Sequence, residues 1–160
     1  MSRSQEEARI VPYHDEHRPH FERLNRAWIE RYFTVEAADE AEFRDPRTMF
    51  LAPGGAIFCV EAGGEILGVC AIAPRHGHPE EFGLSKMAVA EEARGRGYGD
   101  LLLDAAVAFA RGTGATAVIL VSNTGLATAM RLYEKHGFQT VPLDPDEEYA
   151  RANIKMRLRL

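Results

Sequence analysis

The chain has only two cysteines, no surplus of basic residues, and no apolar run near the ~20 residues of a membrane-spanning helix. Each shortage removes a class of function. Cys59 and Cys70 fit no zinc-binding spacing, and the six histidines are scattered, so no metal is expected. If Gly63-Gly64 turns a hairpin, the two thiols fall diagonally on one face and stay buried and reduced. A net charge of −5 gives no general means of neutralising phosphates, so nucleic acid is not an expected partner. The opening Met-Ser-Arg-Ser-Gln-Glu-Glu lacks the apolar segment of a secretory leader. The expected location is the cytoplasm, with no membrane attachment. What the chain does have is a globular composition, 46% hydrophobic and 27% charged over 160 residues. With no internal repeat and no linker, it reads as one domain covering 1–160.

Residues 7–13 read as a first strand. Phe21, Leu24, Trp28, Ile29 and Tyr32 then recur at helical spacing, which puts all five on the apolar stripe of one helix. A shorter helix covers part of 36–51, interrupted at Asp45-Pro46. Ala56 to Val60 and Ile66 to Ile72 flank Gly63-Gly64 as a hairpin, Pro74 to Pro79 reads as a loop, and Phe82 to Val89 as another strand. A helix follows from Tyr98 to Arg111, stopped by Gly112 and Gly114. Ala117 to Val121 is a continuous apolar strand suited to a central parallel position. Leu126, Ala129, Met130 and Tyr133 mark a last helix, and Phe138 to Leu143 and Asn153 to Leu160 close the chain as strands. Strand, helix, strand over 82–121 needs a crossover, hence a parallel pair in a mixed sheet. The fold class is α/β, with helices covering a twisted mixed sheet.

Arg94-Gly95-Arg96-Gly97-Tyr98-Gly99 joins a strand to a helix. Its glycines let backbone N–H groups converge at a helix N-terminus, where the dipole favours an anion, and the two arginines add charge suited to phosphate. It is no Walker loop, which needs Gly-Lys-Ser/Thr, and no dinucleotide fingerprint, which counted from Gly95 needs glycine where Asp100 stands. Arg94, Gly97 and Gly99, after Lys86-Met87-Ala88-Val89, meet instead the pattern Gln/Arg-x-x-Gly-x-Gly/Ala. Ser122-Asn123, Ala127 and Leu132-Tyr133-Glu134-Lys135-His136-Gly137-Phe138 form a second block. The two blocks, together covering about 82–139, resemble the GNAT superfamily of N-acetyltransferases. That resemblance implies a single GNAT-like domain with about seven strands and about four helices.

It also implies acetyl-CoA as cosubstrate, with its pyrophosphate on the backbone of Arg94, Gly95, Arg96, Gly97, Tyr98 and Gly99. Met87, Ala88 and Val89 would meet the pantetheine arm along a splayed strand, and Asn123 would bond its amides. The Met87 N–H would serve as oxyanion donor and Tyr133 as general acid toward the departing thiolate. Periodicity alone would instead make Tyr133 a core residue. Many relatives carry a glutamate where this chain has Gly83. By two-residue alternation Glu81 shares that face, and could act as base through a water above Gly83, or be a solvated strand end.

Relatives build the acceptor pocket from the first helices and the last inter-strand loop, which here bring Trp28, Tyr32, Tyr149 and Arg151. The acidic run Asp144, Asp146, Glu147 and Glu148 would favour a cationic amine, whereas Arg151 would favour a carboxylate-bearing, amino-acid-like acceptor. The leading expectation is transfer of acetyl to a primary amine of a small molecule or peptide, in a ternary complex. The alternative is a CoA-binding sensor or interaction domain that has lost turnover, for which Gly83 speaks. A homodimer paired through the last strands is compatible with either.

Overall fold

The computed structural model describes residues 7–160. Its strands are β1 (Arg9–Pro12), β2 (Ala56–Ala62), β3 (Glu65–Arg75), β4 (His78–Val89), β5 (Ala117–Ser122), β6 (Gln139–Val141) and β7 (Ile154–Arg159). Four α-helices join them: α1 (Arg18–Tyr32), α2 (Ala37–Arg44), α3 (Tyr98–Gly112) and α4 (Ala127–Lys135). The order of elements is the one the periodicities predict. The strands form one sheet in the order β1-β2-β3-β4-β5-β7-β6. All neighbours run antiparallel except β4 and β5, the pair bridged by α3.

Helices cover both faces of the sheet, α1 packing on β3 and β4, and α3 on β2, β3 and β4. On the α3 side, Leu102, Leu103, Ala106 and Ala110 are fully buried, at the three- and four-residue spacing that makes one helical face. On the α1 side the buried stripe is Phe21, Leu24, Asn25 and Ile29, and Phe21 meets Phe43 and Phe50 edge-on at centroid distances of 6.2 and 6.0 Å. Trp28 and Tyr32 do not join it. Trp28 is half-buried and Tyr32 is 49% exposed, because the stripe turns away from them toward Asn25 as it follows the sheet. As expected, the second helix stops at Asp45-Pro46 and the chain continues as a short π-helical turn, Arg47–Leu51.

Two expectations are corrected. The Pro74–Pro79 stretch is not an open loop: β3 runs to Arg75 and β4 starts at His78, so the turn is His76-Gly77, with Gly77 at φ +82°. The cysteines do not share a face. Gly63 and Gly64 (φ +58° and +76°) close the hairpin, but the register then slips by one residue, pairing Glu61 with Ile66 and Val60 with Gly68. That bulge inverts the parity. Cys59 therefore lies opposite Val69 and Cys70 opposite Phe58, one thiol on each face, both buried and unpaired.

Gly55 sits where the chain enters β2, and a Cβ there would collide with the Ile72 carbonyl oxygen and lie 2.6 Å from that of Phe50. Gly112 ends α3 without a left-handed φ, and a Cβ added to it would meet nothing within 4 Å. Gly55→Ala should therefore cost roughly 3 kcal/mol or more through displaced backbone. Gly112→Ala should be neutral or stabilise by about 0.5 kcal/mol. Urea midpoints at unchanged slope would read both.

Candidate active site

The parallel pairing of β4 with β5 covers only Glu81–Ala117, Phe82–Val118 and Gly83–Ile119. Beyond it β5 continues along β7 as far as Ser122–Ile154, while β4 stays with β3. The strands part, and a cleft of about 860 Å³ opens between Leu84–Val89 on one side and Leu120–Asn123 on the other. A bulge in β4 accompanies the parting. Ala71 faces Ser85 and Val69 faces Ala88, so Lys86 and Met87 together oppose Cys70. Lys86 takes φ +54°, the sole left-handed non-glycine among the described residues. For a residue with a side chain that conformation costs roughly 1 kcal/mol.

What holds it there is ionic. The Lys86 side chain is 3% exposed, and Nζ lies 2.8 Å from Asp39 Oδ1, 3.0 Å from Glu42 Oε1 and 3.1 Å from the Tyr149 hydroxyl. Arg151 grips the same Asp39 with both arms of its guanidinium (Nη1–Oδ2 2.7 Å, Nη2–Oδ1 2.8 Å) and reaches Glu36 at 3.4 Å. The Tyr149 hydroxyl donates a short hydrogen bond to Glu42. Burial by itself would raise the Asp39 pKa, but hydrogen bonds from Arg151 and Lys86 outweigh it and hold the carboxyl well below the usual range. Burial, and then the adjacent Glu42 carboxylate, pushes the Tyr149 phenol far up. Asp39 and Glu42 carried no motif and were missed from the sequence, where Lys86 stood only as the first letter of the strand before the signature. The one available signal was the capping box at the start of α2, where Asp39 also accepts the Glu36 N–H at 2.9 Å.

The glycine turn follows the C-terminal end of β4 and lines the same cleft. Gly95 and Gly97 have φ +80° and +81°, and Gly97 is the N-cap of α3 without a side-chain cap. Among the described residues, no protein acceptor takes the N–H of any residue from Gly95 to Asp100, whereas that of Arg94 is taken by the Glu91 carbonyl at 3.3 Å. Arg94 and Arg96 are exposed and form no ion pair with the described residues. Gly99 serves packing, since a Cβ would meet Leu132 of α4 at 3.1 Å. Free amides, a helix N-terminus and two free guanidiniums suit a diphosphate, and the gap beyond suits an extended arm lying along β4.

The other expected residues are distributed as follows. Met87, Ala88, Val89, Tyr98, Asn123, Tyr133, Trp28, Tyr32, Tyr149 and Arg151 all line the cleft, and Arg96 does not. Tyr133 packs on Phe138 at 5.9 Å between centroids, and burial pushes its phenol up to about 12. Asn123 is partly engaged, its Nδ2 donating to the Arg151 carbonyl at 2.8 Å and its Oδ1 accepting from the Gly125 N–H at 2.8 Å. Trp28 is oriented by buried Asn25, 3.3 Å from Nε1, and lies edge-on to Phe33 at 6.4 Å. Glu81 lies outside the cleft, bound to Arg75 at 2.5 Å with Arg157 at 3.8 Å. The space above Gly83 belongs to Arg75, whose Cγ would stand 3.6 Å from a Cβ added there. No helix among the described residues is long and apolar enough to cross a membrane.

Comparison with known proteins agrees with this geometry. The family described as Acetyltransferase (GNAT) family matches residues 13–138. The rat protein N-acetyltransferase family 8 member 2 is 29% identical over 115 residues, covering 70% of this chain and 51% of its own length. The mycothiol acetyltransferase of Pseudarthrobacter chlorophenolicus is 35% identical over 95 residues, 58% of this chain and 29% of its own. The chain thus spans about half or less of these relatives. Among solved structures, a GNAT-family acetyltransferase from Staphylococcus aureus Mu50 superposes with TM-score 0.85 at 14% identity, covering 96% of this chain and 99% of that one. A GNAT superfamily phosphinothricin acetyltransferase from Sinorhizobium meliloti, solved in complex with acetyl-CoA, gives 0.79 at 16% identity, over 96% and 88%. At these identities the structural likeness speaks for the fold.

The Asp39 cluster has a pH signature. A carboxyl whose folded pKa is depressed contributes stability that is complete above its unfolded value and is lost as pH falls through the folded one. The contribution should therefore be whole at pH 7 and decline below about pH 4. Asp39→Asn should cost roughly 3–5 kcal/mol at pH 7, because Lys86 and Arg151 lose their shared partner. Denaturant unfolding should show that gap narrowing as pH is lowered toward 3; a gap independent of pH contradicts the ionic account.

Proposed function

The chain belongs to the acetyltransferase (GNAT) family, and on that premise we propose that it transfers the acetyl group of acetyl-CoA to a primary amine, with both bound at once. The observation that carries the reading is the run of unbonded amides from Gly95 to Asp100 opening onto the gap where β4 leaves β5. Bound there, acetyl-CoA would supply an activated acyl group and a thiolate leaving group.

The protein's own groups then have separable tasks. The Gly95–Asp100 amides, with Arg94, hold the diphosphate. Val89, whose neighbour Ala90 bonds back to Leu67 of β3, presents its backbone on the gap side to the extended arm, and Asn123 retains one amide hydrogen for it. The bulge turns the backbone at Met87 toward the gap, and its N–H is the proposed donor to the acyl oxygen as charge develops there. Tyr133, its phenol near 12, remains protonated at neutral pH. It is a weaker acid than a thiol, so its part is to donate a hydrogen bond to the sulfur as the C–S bond breaks, with proton exchange completed by water.

The attacking nitrogen, as ammonium, must first lose a proton. Glu81, tied to Arg75 and Arg157, is left out of this proposal. Tyr149 lines the cleft and donates to Glu42, so its oxygen can accept a proton from the ammonium while its own hydrogen passes to Glu42. A nitrogen–carbon bond then forms as the carbon–sulfur bond breaks. One nitrogen proton leaves through Glu42 to solvent, and the second balances the thiolate. Two buried, unpaired cysteines suit a reducing cytoplasm.

A second reading, a sensor that binds CoA without turnover, draws on Gly83, which leaves β4 without a carboxylate at the cleft. Thiol release over a panel of amines, beside calorimetry with acetyl-CoA, separates the two. Turnover is expected, and Tyr133→Phe should slow it by ~10²-fold or more with acetyl-CoA affinity unchanged. Binding without turnover would favour the sensor, unchanged turnover in Tyr133→Phe would reduce Tyr133 to packing against Phe138, and no binding would remove the reading altogether.

A further inference from the structure

Among the described residues three cations line the cleft: Arg94 at the glycine turn, and Lys86 and Arg151 beside Trp28 and Tyr149. Neither of the last two is free. Arg151 is forked onto Asp39 and touches Glu36, and Lys86 is held between Asp39 and Glu42. Two positive charges thus face three carboxylates, leaving one negative charge in excess in a largely buried cluster. The loop that carries Tyr149 adds to it, since Glu147 accepts the Tyr149 N–H at 3.3 Å.

The same region is aromatic. Trp28, Tyr32, Phe33 and Tyr149 all line the cleft. Trp28 is fixed by Asn25 and Phe33 rather than sunk in the core. The guanidinium of Arg151 lies 5.9 Å from the Trp28 ring centroid and 4.6 Å from that of Tyr149, and the Lys86 ammonium 4.5 Å from the latter. Those cations cover one side of Tyr149 and stiffen the wall. They leave flat apolar surface, and no cation free of a carboxylate beside it, for a ligand's carboxylate.

We infer that the acceptor is a primary amine on an aromatic or apolar body, without a carboxylate beside the amine. This rests on the acetyltransferase reading and narrows it. The ammonium is drawn to the surplus negative charge near Glu42 and Tyr149, and the body packs on Trp28 and Phe33. A carboxylate on the adjacent carbon would face that surplus with both local cations already satisfied, so an amino-acid acceptor is disfavoured by charge rather than by size.

The chain's one tryptophan is Trp28, which gives a readout independent of turnover. Protein saturated with CoA is titrated with 2-phenylethylamine, with L-phenylalanine, which adds only the carboxylate, and with ethanolamine, which lacks the apolar body. Trp28 fluorescence should report 2-phenylethylamine binding at least ~30-fold tighter than L-phenylalanine and ~10-fold tighter than ethanolamine. Glu36→Gln, which removes one carboxylate at the exposed edge of the cluster, should narrow the first ratio several-fold without altering CoA affinity. Equal or tighter binding of L-phenylalanine, or no response to 2-phenylethylamine at ~10 mM while calorimetry shows CoA bound, would overturn the inference and leave the acetyltransferase reading standing. Absence of CoA binding would instead strike at that reading.

Discussion

Lys86 stands in a backbone conformation that a lysine adopts only under constraint, and the constraint is its burial between Asp39 and Glu42. That ion pair ties β4 to α2 at the place where β4 stops following β5. A left-handed residue in a strand needs a compensating interaction, and a charge that is 3% exposed needs partners even more. Each requirement answers the other. The bulge breaks the ladder beside Met87 and orders Asp39, which in turn fixes Arg151. Through Arg151 and Tyr149 the loop between β6 and β7 is drawn over the cleft, so one set of ion pairs shapes both the opening and its acceptor side.

The glycine-turn end of the cleft is built on an opposite principle. There the chain leaves its polar groups unsatisfied: the amides of Gly95 to Asp100 meet no protein acceptor among the described residues, and the arginines beside them remain unpaired. Gly95 and Gly97 allow this because their left-handed φ turns successive N–H groups toward the same side. One end of the cleft thus offers bare donors, which suit an anion. The other end has balanced its own charges to within one carboxylate and offers aromatic surface. Under the proposed function, that polarity would order the two substrates along the groove.

Much of this was legible in the residues. Helical and strand periods gave every element in order, and the Arg94–Gly99 turn with Leu132–Phe138 pointed to the cofactor side because backbone chemistry there depends on glycine placement, which letters record. The acceptor side was harder to read. Asp39 and Glu42 lie on a short helix far along the chain from Lys86, and only tertiary packing reveals that all three meet. Trp28 and Tyr32 followed the same period as buried Phe21 and Ile29, so periodicity alone could not show that the sheet turns away from them. The cysteine parity failed for a local reason: one extra residue in the β2–β3 hairpin, invisible to composition, exchanges the faces of everything after it. For Glu81, alternation gives a face but not the neighbour, here Arg75, that fills it.

Amides at the start of α3 that are free in the unliganded protein should become bonded when a diphosphate arrives. Hydrogen exchange followed by mass spectrometry reads this directly. Peptides covering 95–100 should exchange rapidly in the free protein and slow by at least ~10-fold on saturation with CoA, while the paired segment 81–83 stays protected in both states. Rapid exchange at 95–100 that CoA leaves unchanged would contradict the account.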